Sequence, residues 1–199
     1  MASQNASELL VVGLGNPGEE FAYTRHSAGR AVVEELARRN SATYWKSEAG
    51  ADVCEVRLGD KSVTLACPQT FMNVSGGPVA KLAAARHLPR RQVIVVHDEL
   101  EIVAGQVGVR VGGGAAGHNG LRSITNKLGG ADFVRVRVGI GRPPGRMSPA
   151  DYVLRKLKGA QLEEFQLTCM SAADAVEECV RGGIVTACRK YGSPTRSSR

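Results

Sequence analysis

A chain of 199 residues, 43% hydrophobic and 23% charged, has room for one domain with a sizeable core, and two full domains would be cramped. Its net charge of +7 lies wholly in the second half: residues 1–99 carry eleven basic and eleven acidic side chains, residues 100–199 fifteen and eight. Such a one-sided basic excess favours a polyanionic partner, nucleic acid first, while no run approaches the roughly 18 apolar residues of a bilayer span.

Met1–Ser7 is polar, with neither a basic region nor an apolar h-region, so no export signal is expected. Glu8–Gly15 holds Leu-Leu-Val-Val ahead of two glycines and reads as a buried strand. Ala28–Arg39 carries apolar residues at Ala28, Val32, Val33 and Leu36, a helical stripe. Ala51–Leu58 and Ser62–Ala66 flank Gly59-Asp60-Lys61 as a hairpin. Ser75–His87 reads as a helix with Pro78 in its first turn, and Gln92–His97 is the strongest strand. Val107–Val111 is a strand leading into three glycines, His118–Leu128 a helix, and Phe133–Ile140 a strand alternating Val with Arg. Leu162, Phe165, Cys169, Ala173, Val176 and Val180 recur at 3–4 spacing in a long helix, and the Ser/Arg-rich Gly192–Arg199 is expected to be disordered. Strands alternating with helices, interrupted by one hairpin, predict a single α/β domain over residues 1–191: a twisted mixed sheet sandwiched by helices.

Gly13-Leu14-Gly15-Asn16-Pro17-Gly18 matches G-x-G-x-x-G after a strand, but the acids about 20 residues on, Glu34 and Glu35, sit inside a helix, against a dinucleotide fold. In Gly112–Gly120, His118-Asn119 stands where a P-loop needs Lys-Ser/Thr, so ATP hydrolysis is not expected; the loop still aims backbone N–H groups at a helix start, a seat for an anion or an ester oxygen. His26, Asn73 and His97-Asp98-Glu99 are each more often structural than catalytic when taken alone. The Asn16 loop and His97-Asp98, however, both follow strand carboxyl ends, where α/β sheets collect ligands, and a His needs a carboxylate to fix its tautomer before acting as a base. There is no G-x-S-x-G elbow. Five cysteines without C-x-x-C or His at metal spacing read as reduced thiols, so a cytoplasmic protein without bound metal is expected.

Together GLGNPGEEFAYTRHSAG from Gly13, TFMNVSG from Thr70, VHDEL from Val96, GGGAAGHNGL from Gly112 and RVRVGIGRP from Arg135 resemble the bacterial-type peptidyl-tRNA hydrolase family, in order over nearly the whole chain. The resemblance implies a cofactor-free, metal-free enzyme that hydrolyses the ester between a peptidyl group and the tRNA 3′ end, recycling the tRNA, and acts as a monomer with no stable protein partner and no membrane. It makes His26 the base, Asp98 the carboxylate that orients it, and Asn16 a sensor of the blocked amino group. Asn73 and Asn119 become amides that hold peptide and water, Phe71 and Met72 the adjoining wall, and His118 a further substrate-binding residue. Arg110 and Arg137 become a clamp for the tRNA 5′-phosphate, which guanidinium groups bind through paired bonds. Four positions depart from the family's common pattern: Phe21 replaces tyrosine, Ser27 replaces asparagine, and Ala115-Ala116 replaces His-Gly, which should stiffen the glycine loop. Phe21 is expected beside the site, its ring stacking on the terminal base or ribose. A non-catalytic RNA-binding relative of the splicing-factor type is the main alternative, signalled by an apolar docking patch; a dinucleotide oxidoreductase, testable by NADH titration, is more distant.

Overall fold

The computed structural model describes residues 8–197. Seven strands form one sheet: β1 (Glu8–Gly13), β2 (Lys46–Glu48), β3 (Ala51–Leu58), β4 (Lys61–Pro68), β5 (Val93–Glu99), β6 (Val107–Val111) and β7 (Val134–Gly139). Their order is β2-β3-β4-β1-β5-β7-β6; β4, β1, β5 and β7 are parallel, while β3 and β6 oppose their neighbours. The expected mixed sheet is present. Leu58 pairs with Lys61, so the hairpin turns on Gly59 and Asp60, with Gly59 at positive φ as a two-residue turn requires.

Six helices cover the faces: α1 (Ala28–Arg39), α2 (Gly76–Ala85), α3 (Asn119–Leu128), α4 (Pro149–Leu154), α5 (Gly159–Arg181) and α6 (Ile184–Tyr191). The apolar stripes of α1 and α5, with Ala187 of α6, close on Val11, Ile94, Val96, Val136 and Val138 in one core. Val79 and Leu82 of α2 and Leu121 and Ile124 of α3 close on Leu10, Val12, Val93 and Val95 in the other. The central strands are apolar on both faces because both faces are buried.

Elements absent from the expectation are β2, whose polar Lys-Ser-Glu has no apolar signal, α4, and a separate α6 beginning after Gly183, which adopts a φ of 87°. Within the Gly192–Arg199 stretch, residues 195–197 make backbone contacts with the loop after β5. Val103 N–H donates to Thr195 O (3.0 Å), Ser197 N–H to Glu101 O (2.9 Å), and Arg196 bridges Ile102. Backbone pairing with the loop after β5 holds this stretch where its side-chain composition suggests none; Ser198 and Arg199 lie outside the described residues.

Candidate active site

The site forms where β1 and β5 end, and two glycines bring α1 against them. A Cβ on Gly13 would lie 2.2 Å from Gly29 O, and one on Gly29 2.1 Å from Val96 O, so only glycine allows this approach. Arg30 N–H then donates to Leu14 O and Leu14 N–H to Val96 O, each 3.1 Å. The 3-10 turn Arg25–Ser27 ahead of α1 is fastened by Thr24 Oγ1 and Ser27 Oγ, both donating to Phe21 O at 2.8 and 2.9 Å. Ser27 therefore supports this turn with a hydroxyl where the family often has an amide.

That turn delivers His26 to Asp98 of β5. His26 Nδ1 lies 3.1 and 3.0 Å from the two carboxylate oxygens, so Nδ1–H donates and Nε2 keeps its lone pair. His118, the N-cap of α3, lies with Nε2 2.9 Å from Asp98 Oδ1, while its Nδ1 accepts from Leu121 N–H at 3.4 Å. Burial penalises charge on Asp98, but the two histidines outweigh it and hold the carboxyl below its ordinary range. Burial likewise opposes charge on His26, yet the charge and hydrogen bond of Asp98 prevail and raise its pKa. The His26, Asp98 and His118 ligand atoms lie within 4.8 Å of one another, a spacing open to a metal ion. The Leu121 bond leaves the His118 proton on Nε2, however, so the trio as built is a carboxylate accepting from two N–H donors.

Around this trio opens a cleft of about 900 Å³ whose lining includes Asn16, Phe71, Met72, Asn73 and Asn119. Asn16 Oδ1 accepts from Met72 N–H (2.8 Å), tying the β1 loop to the 70–75 segment; Phe71 is 62% exposed at the mouth. Phe21 is half-buried in the 3-10 turn Glu19–Phe21, outside the residues lining this cleft, and its backbone carbonyl accepts the two hydroxyl bonds that fasten the His26 turn. A second groove of about 800 Å³, between α1 and α5, is lined by Arg30, Glu34, Glu35 and Arg38, which pair among themselves.

The opposite wall was not legible as such: Pro149, Ala150, Val153 and Leu154 of α4 line it. Its signal is Ser148-Pro149-Ala150-Asp151, an N-cap serine with proline at N1; Ser148 Oγ accepts from Asp151 N–H (3.1 Å) and donates to the Asp151 carboxylate (2.7 Å).

Beyond the glycine loop lies a cluster of arginines. Arg110 pairs across the ladder with Arg135, and Arg137 with Gly108. Although it alternates with valine, Arg135 is only 2% exposed: its guanidinium donates to Gly114 O (2.7 Å) and Gly113 O, bracing the loop. Burial, then Arg110, depresses its pKa to about 10, and the same causes lower that of Arg137. Like charges facing each other across a ladder are unfavourable. Gly112–Gly117 links this cluster to His118.

The sequence profile of the family described as peptidyl-tRNA hydrolase matches residues 10–198. Among curated relatives, the peptidyl-tRNA hydrolase of Kineococcus radiotolerans is 48% identical over 93% of this chain and 97% of its own length. That of Frankia alni is 50% identical over 92% of each. A crystal structure of the Acinetobacter baumannii peptidyl-tRNA hydrolase superposes with a TM-score of 0.87 at 32% identity, covering 98% of this chain and 99% of that one. By sequence and by fold, this chain belongs to the peptidyl-tRNA hydrolase family.

Proposed function

We propose that the chain hydrolyses the ester joining an N-blocked aminoacyl or peptidyl group to the 3′ end of tRNA, releasing free tRNA. The observation that carries this reading is the His26–Asp98 pair at the base of an open cleft, with an acceptor nitrogen directed away from the carboxylate. His26 Nε2 takes a proton from water as the water oxygen attacks the ester carbonyl. The amide N–H groups of Asn73 and Asn119 stabilise the negative charge on the carbonyl oxygen. Collapse breaks the acyl–oxygen bond, and His26 returns its proton to the departing ribose oxygen. Asp98 stays ionised throughout and steadies the imidazolium. No covalent acyl-enzyme is required.

Met72 and Phe71 form the wall against the peptide, and Asn16, its carboxamide oxygen held by Met72 N–H, is placed to test whether the substrate's amino group is blocked. His118 supports Asp98. Arg110 and Arg137 take the 5′-phosphate in the arginine cluster, with Arg135 as a buried strut. The cysteines are free thiols, four of them buried, which supports a reducing, cytoplasmic setting; no described helix is long and apolar enough to cross a membrane.

The test is release of the acyl group from N-acetylaminoacyl-tRNA beside unblocked aminoacyl-tRNA. Rapid release of the first and slow release of the second is expected. Binding of both with hydrolysis of neither would favour the non-catalytic RNA-binding reading.

A further inference from the structure

His97 lines the floor of the cleft but has no part in the steps assigned to His26 and Asp98. It is 1% exposed, and its Nδ1 lies 2.8 Å from Asp98 O. A carbonyl oxygen only accepts, so Nδ1 carries the proton and Nε2 is an acceptor. Nε2 is buried without a protein partner among the described residues. Two buried donors are in the same condition, the Nε atoms of Arg135 and Arg137. The β5–β7 register sets His97 beside Arg137 and Val95 beside Arg135, so all three side chains leave the same face of two adjacent strands. The charge of Arg135 is felt at His97.

Buried polar atoms are nearly always satisfied, and ordered water commonly does this where several converge. An acceptor sharing a face with two unpaired donors is such a place. On its other side the His97 ring stands edge-on to His118, with centroids 5.2 Å apart, and His118 in turn bonds Asp98. A run of side chains thus leads from the arginine cluster toward the catalytic pair: Arg135 and Arg137 on the face of His97, then His118, Asp98 and His26.

Resting on the ester-hydrolase reading, we propose that His97 is a positioning residue coupling the arginine cluster to the catalytic pair, its Nε2 accepting from ordered water beneath Arg135 and Arg137 and its ring setting His118. Occupation of the cluster by the 5′-phosphate then fixes His118 and Asp98, so the phosphate contributes to kcat as well as to KM.

The kinetic test compares N-acetylaminoacyl-tRNA carrying a 5′-phosphate with the same tRNA carrying a 5′-hydroxyl. In the wild-type protein the phosphate should raise kcat about fivefold or more, the low end of coupling between distinct sites. His97→Phe keeps a ring but removes the acceptor; its kcat should no longer distinguish the two tRNAs, while its KM still does. An unchanged kcat ratio in His97→Phe, loss of the KM response along with it, or a wild-type kcat indifferent to the phosphate would each overturn the proposal. A second arm needs neither turnover nor a foldable variant. Inorganic phosphate titrated into wild-type protein with 15N-labelled histidine should shift the His97 and His118 ring resonances. Unmoved resonances overturn the coupling. Absence of hydrolysis of either tRNA, with the rings still shifting, would instead count against the ester-hydrolase reading alone.

Discussion

His26 owes its place to two glycines and its titration to Asp98. Because its pKa is raised, the neutral base appears only above the ordinary histidine value of 6.5, and kcat/KM should rise with pH through a midpoint above that value. Asp98→Asn removes the charge that raises it; the midpoint should move down as activity falls, and a midpoint that stays put would separate the two residues. Phe21, by contrast, was legible only as an aromatic near the site. Its ring does not line the cleft, so Phe21→Ala should lower Tm and leave kcat/KM within about threefold, whereas a stacking contact on the substrate is worth roughly 1–3 kcal/mol. Arg135 shows where residue reading fails. An arginine alternating with valine looks solvated, and only a neighbouring loop with free carbonyls makes its burial possible.

At the scale of elements, the long strands and helices were readable because their apolar periodicity is set by burial on known faces. Strand β2 and helix α4 were not: the first is three polar residues held by pairing, the second six residues defined by a cap. The backbone hydrogen bonds that tie residues 195 and 197 to Val103 and Glu101 likewise leave no mark in side-chain composition. The glycine loop carries a conflict between sequence and conformation. Ala116 sits at φ 46°, a left-handed backbone that suits glycine, in a loop where the family has one. The substituted loop is thus strained as well as stiffened, and such strain costs on the order of 1 kcal/mol. Ala116→Gly should relieve it, leaving stability unchanged or up to about 1 kcal/mol higher by thermal melting, since glycine's unfolded-state entropy offsets part of the gain. A loss of more than about 1 kcal/mol would show that Ala116 makes contacts outweighing its backbone.

Over the whole molecule, the pairing of β6 and β7 gathers part of the second half's basic excess into one arginine cluster. Arg110→Ala and Arg137→Ala should each raise KM for full-length substrate, spare a 3′-fragment substrate, and reduce the salt slope of binding by about one contact. Unchanged slopes would move the tRNA toward Arg142, Arg146 and Lys156. Acid stability reports on the buried end of the same network. Burial first, then the neighbouring His118, pushes His97 down to about 3, while the unfolded chain takes up that proton near 6.5. The unfolded state therefore binds more protons on acidification, and stability falls from pH 6.5 downward. His97→Phe should flatten the Tm profile between pH 6.5 and 4.5, above the range where carboxylates titrate; an unchanged slope there would mean His97 is already charged in the folded protein. The central claim, that His26 is the base of an ester hydrolase, is tested most directly by His26→Ala on N-acetylaminoacyl-tRNA, with kcat and tRNA affinity measured side by side. The geometry predicts a loss in kcat of at least about 100-fold with affinity nearly unchanged. A variant that keeps more than about a tenth of the wild-type kcat would contradict it.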